Sequence, residues 1–208
     1  MSQSKQDRAI QTRAAILHAA AAVFDEYGYS GASVNKILAR AGVTQGAMYF
    51  HFASKEAVAR AVMNAQGDDL ELPVGSEGLQ RLIDTTMYLS VQLQRNVLLR
   101  AGVRLAVEQG EFGVRDDTAY QLWARQFAEH LYSARIRGEL LPDVDEAELA
   151  KFLVGAYSGT QLFSQIATGR VDLPQRIQMM WRFLLPGIAT PQIRERLKVR
   201  PWRDPIAA

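Results

Sequence analysis

The sequence predicts an all-α protein, and three observations carry that expectation. Alternating β-branched stretches are absent, while Ala, Leu, Arg, Gln and Glu dominate the 208 residues. Apolar side chains recur at spacings of three and four along most of the chain. The breaks between these runs hold Gly, Pro and the small oxygen-bearing residues that start helices.

The first helix is expected over about 7–27. Ile10, Ala14, Leu17, Ala21 and Phe24 make its buried stripe, and Gly28 stops it. Ser33 caps a short helix at 34–41, closed by Gly42 in the C′ position. Thr44 caps a third helix at 45–51, and Ser54 caps a fourth at 55–66. The stretch "GDDLELPVGSEG" (67–78) carries three glycines and a proline and is read as the boundary between two domains, 1–66 and 67–208. Longer helices follow near 77–94, 96–109, 116–137, 146–168, 173–187 and 191–199. Asp145 with Glu148, Asp172 with Pro174 and Thr190 with Pro191 are their start signals.

Composition narrows the function classes. The chain has no cysteine, which excludes disulfides, thiolate metal sites and cysteine nucleophiles. No apolar run is long enough for a bilayer, and the N-terminus lacks the apolar segment of a signal peptide, so a soluble cytoplasmic protein is expected. The formal charge is only +2. Its distribution is uneven: Lys5, Arg8, Arg13, Lys36, Arg40, Lys55 and Arg60 face only Asp7, Asp25, Glu26 and Glu56 within residues 1–66. A basic small domain on a near-neutral large one hints at nucleic acid.

The two short helices joined by "AGVT" have the form of a helix-turn-helix. Gly42 supplies the turn's positive φ, and Val43 plugs the angle. On the third helix Ala47 and Phe50, three apart, are read as facing inward. Gln45 and Tyr49, four apart, share the opposite face, flanked by Thr44, Met48 and His51. That outer face is uncharged and rich in hydrogen-bonding groups, as suits a recognition helix in a DNA major groove. Gly46 permits close backbone approach. Thr44, Tyr49, His51 and Lys55 can donate to phosphates, the helix start at Ser33 and Val34 adds backbone donors, and Gln45 can pair with adenine in a bidentate way. Spacing alone also fits αα-corners that bind nothing.

The run "TRAAILHAAAAVFDEYGYSGASVNKILARAGVTQGAMYFHFASKEAV" (12–58) resembles the N-terminal domain of the TetR family of bacterial repressors. Its landmarks are the TR-x-x-I-L start, the G-Y pair, and A-G-V-T-x-G-x-x-Y-F-H-F followed by S-K-E. The resemblance implies a three-helix DNA-binding domain followed by a helical ligand-binding and dimerisation domain. It implies DNA contacts among Arg8, Arg13, Ser33, Val34, Thr44, Gln45, Gly46, Ala47, Tyr49, His51 and Lys55. The wording "YFHFASKEAV", "LRAGVRLAVEQ" (99–109) and "LLPDVD" (140–145) is similar to the γ-butyrolactone receptor branch. That branch usually carries Lys after the turn threonine. Gln45 stands there instead, which removes a charge and predicts a different operator.

The branch resemblance implies a pocket tryptophan at Trp123 and a small hydrophobic signalling ligand of γ-butyrolactone, butenolide or furan type. Some of its members answer to end-product antibiotics instead. Spacing supplies further candidates: Tyr120, Trp123, Phe127 and His130 fall on one stripe, and Leu153, Tyr157, Thr160 and Ser164 on another. Thr160 can donate to a ligand carbonyl, Leu105, Phe127 and Phe163 are read as apolar wall, and Gln66 stands at the end of the fourth helix. Aromatic stripes at such spacing also build ordinary cores. Gly155 and Gly159, with the stripe Ile177, Met180, Trp181, Leu184 and Ile188, are read as serving a homodimer. "RERLKVRPWRDP" (194–205) is read as a solvated basic end.

A helical enzyme is the rival class. His18, His51 and His130 have no second histidine or carboxylate at metal-ligand spacing. The carboxylates at Glu108, Glu111, Asp116 and Asp117 flank a loop and read more simply as solvated. No enzyme activity, metal or cofactor is expected, and no membrane partner.

Overall fold

The computed structural model describes residues 2–202. They form ten helices: α1 (Ser2–Gly31), α2 (Val34–Ala41), α3 (Gln45–His51), α4 (Lys55–Asn64), α5 (Gly78–Arg95), α6 (Val97–Val107), α7 (Thr118–Ile136), α8 (Glu146–Thr168), α9 (Leu173–Ile188) and α10 (Pro191–Arg194). A short 3-10 turn, Glu108–Phe112, follows α6. Among the described residues no helix is long and apolar enough to cross a membrane.

The chain gathers into two compact units, and their division differs from the expected 1–66 and 67–208. The first holds the described residues through Leu70 together with Asn96–Ala119; the second holds Glu71–Arg95 and the described residues after Ala119. α6 and the 3-10 turn therefore belong with the N-terminal helices.

In the first unit α1–α4 and α6 close over one core containing Ile16, Phe24, Ile37, Met48, Val58, Val62 and Leu105. The buried stripe of α1 begins at Ile16. Ile10 is 61% exposed and Ala14 is exposed as well, so both leave the expected stripe. Gly28 interrupts α1 as expected, with φ 69 and ψ −178. At that break Arg104 reaches across from α6. Its Nη1 donates to the Asp25 carbonyl at 2.8 Å and its Nε to Glu108 Oε1 at 2.7 Å, while Glu108 Oε2 accepts from the Tyr29 N–H at 2.7 Å. Arg100, one turn earlier, donates to the Asp25 carboxylate at 2.7–3.1 Å. Gly102 lets α6 approach α4 closely: a Cβ there would lie 2.4 Å from the Gln66 Cβ and 3.2 Å from the Val62 carbonyl oxygen.

In the second unit α5 and α8 each pack on α9. Ile177, Trp181, Leu185 and Ile188 of α9 are buried, and Trp181 Nε1 donates to Thr86 Oγ1 at 2.8 Å. Burial of Ile177, Trp181 and Ile188 assigns most of the stripe read for dimerisation to the core. The apolar surface left open is a different one: Phe152, Leu162, Phe163 and Ile166 on α8, and Met179 and Phe183 on α9. Gly155 and Gly159 are exposed too, and a Cβ on either would meet nothing within 4 Å. α8 starts at Asp145, whose carboxylate accepts from the Glu148 N–H at 2.8 Å. The last helix ends at Arg194 rather than near 199, and the chain beyond it is anchored rather than free. Gln80 exchanges two hydrogen bonds with the Lys198 backbone at 2.8 and 3.0 Å, and Trp202 meets Tyr88 edge-on at 5.5 Å. Residues 203–205 of that segment lie outside the described residues.

Candidate nucleic-acid interface and ligand residues

Helix α2 starts at Ser33, whose Oγ accepts from the Lys36 N–H at 3.2 Å, and stops at Gly42, which turns left-handed at φ 65 and ψ 32. Thr44 restarts the chain, its Oγ1 accepting from the Ala47 N–H at 3.2 Å. Val43 between them packs on the core. Two helices are thus locked by a short corner with every cap formed by its own sequence.

The orientation of α3 differs from the sequence expectation. Met48 and Phe52, four apart, are buried and set the inner face. Phe50 is two positions from each and so points to the far side; it is 81% exposed, with its ring edge-to-face on His51 at 5.0 Å. Gly46, one turn before it, is exposed, and nothing lies within 4 Å of where its Cβ would stand. Gly46 and Phe50 thus form the outermost ridge. Gln45 and Tyr49 flank it on one side as exposed residues, Ala47 and His51 on the other as half-buried ones. The face holds no ionised carboxylate, and its shape is low at Gly46 and raised at Phe50. Phase counted from Phe52 instead of from Ala47 would have revealed the Phe50 position.

The expected cations of this unit occupy defined settings. Arg8 is exposed. Arg13, also exposed, lies over the Phe52 ring at 5.0 Å, and Lys36 Nζ sits 3.6 Å over the Tyr27 ring while donating to the Gly31 carbonyl at 2.9 Å. Val34 is half-buried beside Ser33. Lys55 opens α4, and its ammonium sits 4.0 Å over the Tyr29 ring; burial there lowers its pKa. The Tyr29 hydroxyl donates to Glu56 Oε1 at 2.7 Å.

Hydrogen bonds from Ser54 and then Tyr29 bring the Glu56 pKa down to about 2 from its ordinary 4.5. The folded carboxyl is the stronger acid, so the unfolded chain takes up the proton first. The stability that these bonds confer is complete above about pH 4.5 and is lost as pH falls towards 2. Tyr29→Phe should therefore lower Tm at pH 6, and the gap from wild type should shrink on acidification; thermal melts at pH 6 and pH 3 check this.

The expected ligand residues separate between the units. Leu105 is fully buried in the first unit's core, which corrects its reading as a pocket wall. Gln66 is buried there too; its amide donates to the Met63 carbonyl at 2.9 Å. In the second unit Trp123 is half-buried with its ring 6.2 Å from that of buried Phe127. Thr160 is half-buried. Ser164 is buried with its hydroxyl donating to Asp172 Oδ1 at 2.5 Å, a local bond at the α8–α9 corner. Phe163 is 60% exposed under the Arg176 guanidinium at 4.2 Å, so it is surface rather than wall. The carboxylates considered for an enzyme have structural partners: Glu108 as described above, and Asp116 receiving the Thr118 N–H at 3.0 Å.

A capped helix-turn-helix with a projecting, carboxylate-free second helix defines the class of DNA-binding regulators. The chain belongs to the tetR family of bacterial regulatory proteins, whose N-terminal domain matches residues 16–62 and whose tetracycline repressor-like C-terminal domain matches residues 76–190. It is 41% identical to the A-factor receptor protein of Streptomyces griseus over 94% of this chain and 70% of that one. The crystal structure of TylP, a TetR regulator from Streptomyces fradiae, superposes with a TM-score of 0.83 at 41% identity, covering 93% of each chain. CprB from Streptomyces coelicolor, solved with its operator sequence, superposes at 0.70 with 32% identity over 91% of this chain and 94% of that one. The family is one of transcriptional regulators, not of enzymes.

The expectation that Gln45 reads a base has a direct check. Gln45→Ala should relax preference at one base pair of each half-site by about 1–3 kcal/mol. Competition with a duplex series substituted at each position measures it, and an unchanged order of affinities would refute the role.

Proposed function

We propose that this chain is a ligand-responsive repressor that binds a palindromic operator as a homodimer and lets go when it takes up a small signalling molecule. The candidate ligand is of γ-butyrolactone, butenolide or furan type, and the genes under control serve secondary metabolism. The observation that carries the reading is the outward ridge and flanks of α3: Gln45, Gly46, Tyr49 and Phe50 are exposed among the described residues and present donors, acceptors and an apolar ring. Likeness to the A-factor receptor supports the ligand class, and likeness to operator-bound CprB supports the DNA partner. The open apolar strip of α8 and α9 supports self-association. Large apolar patches of that kind mark protein interfaces, and its exposed Gly155 and Gly159 allow helices to pack closely. Trp123 with Phe127, and Thr160 on α8, are the proposed ligand contacts.

Selection from random duplexes tests the reading. The recovered sequences should be palindromic, with half-sites about one helical turn or a multiple apart, and light scattering should give a dimer. Trp123→Ala should keep operator affinity and lose ligand-induced release. A monomer, or recovery of no common sequence, would overturn the reading.

A further inference from the structure

The break at Gly28 delivers the next residue, Tyr29, to a crossing of three elements. Its N–H donates to Glu108 Oε2 at 2.7 Å, and its ring centroid lies 4.2 Å from that of Phe112; both partners belong to the 3-10 turn that follows α6. The same turn holds the following residue, where Ser30 Oγ donates to Glu111 Oε2 at 2.5 Å. On the α4 side the Tyr29 hydroxyl donates to Glu56 Oε1, and the Lys55 ammonium sits 4.0 Å over the ring. Tyr29 is buried. Its ring is therefore a fixed platform, gripped by the turn at its backbone and by α4 at its hydroxyl. A lysine has a flexible four-carbon stem, and holding its ammonium against a phosphate costs rotamer freedom. An aromatic face attracts a cation, so the ring beneath Lys55 restricts the stem before any DNA arrives. Burial at the ring lowers the ammonium pKa, and the charges of Glu56 and Glu111 oppose that loss of charge.

We propose that Tyr29, held by Phe112 and Glu108, is a positioning residue for operator binding: its ring pre-sets the Lys55 ammonium for a DNA phosphate. The 3-10 turn after α6 thereby supports the DNA interface without touching DNA. This rests on the repressor reading above, with Lys55 as a phosphate donor. The full-length protein is titrated by anisotropy against the operator recovered from random duplexes, over a series of salt concentrations. Lys55→Ala should lower the slope of log affinity against log salt by about one unit per half-site. Tyr29→Leu and Phe112→Leu should each weaken binding at least about fivefold. In the Lys55→Ala background the same two changes should cost less than about twofold, because no ammonium is left to position. Tyr29→Phe keeps the ring and should rescue binding to within about twofold of wild type, although its bond to Glu56 is gone. Phe112 is half-buried, so Phe112→Leu decides the matter if Tyr29→Leu does not fold. A merely structural role would weaken binding equally with and without Lys55. Equal losses in the two backgrounds, Phe112→Leu binding like wild type, or Tyr29→Phe as weak as Tyr29→Leu would each overturn the assignment while leaving Lys55 on the phosphate. An unchanged salt slope in Lys55→Ala would instead refute the phosphate contact, and absence of any operator complex the repressor reading; the assignment falls with either.

Discussion

Replacing Gly28 by alanine should cost the first unit about 3–5 kcal/mol and lower Tm by ten degrees or more. Two effects add. At φ 69 and ψ −178 only glycine is at ease, and a side chain there is strained by about 1–3 kcal/mol. The new Cβ would also stand 2.5 Å from Arg104 Nη2, so the guanidinium must shift, which weakens the bonds that its Nη1 and Nε make to the Asp25 carbonyl and Glu108. Weakening these charge-assisted bonds together costs on the order of 1–3 kcal/mol. Arg104→Ala removes the collision but leaves the strain, so the double variant should be destabilised by less than the sum of the two single changes. Melts monitored by circular dichroism decide the matter; a Gly28→Ala protein melting within two degrees of wild type would contradict it.

Gly28 was legible because a break in a helix needs a local residue to make it. The caps at Ser33, Thr44 and Ser54 and the left-handed Gly42 were legible for the same reason, since each partner lies within a few residues. What could not be read locally was the placing of α6. "LRAGVRLAVEQ" looks like any amphipathic helix, yet three of its residues serve a distant helix each. Arg100 pairs with Asp25, Gly102 admits Gln66, and Arg104 bridges the break in α1. These partners are far apart in sequence, so no periodicity records them, and the apolar spacing of Leu105 alone does not tell a core position from a pocket wall. The stripe of α9 failed differently. Both faces of that helix are apolar, with Trp181 inward and Phe183 outward, and hydrophobicity alone does not say which face the same chain covers.

Phe50→Asp should abolish specific operator binding, at least a hundredfold in affinity, while leaving the fold intact. The sequence leaves two phases open for α3, because Ala47 with Phe50 and Met48 with Phe52 are both apolar pairs at helical spacing. If Phe50 were the core residue, an aspartate there would be a buried, unpaired charge and the domain would unfold. With Phe50 81% exposed and Met48 and Phe52 buried, the substitution leaves the core untouched. Its carboxylate would instead stand on the outer ridge beside Gly46, where the reading of α3 as a recognition helix brings the polyanionic duplex. It would remove an apolar contact of the kind made with a thymine methyl group and add repulsion from phosphates. A hundredfold loss corresponds to about 2.8 kcal/mol, within reach of those two effects together. Raising the salt should narrow the gap between wild type and variant, because screening weakens the repulsion while the lost apolar contact is unaffected. Met48→Asp is the control with the opposite outcome: it should unfold the domain. Melting curves and anisotropy titrations on both variants separate the cases. A Phe50→Asp protein that melts early would return Phe50 to the core, and one that binds operator like wild type would take it off the DNA.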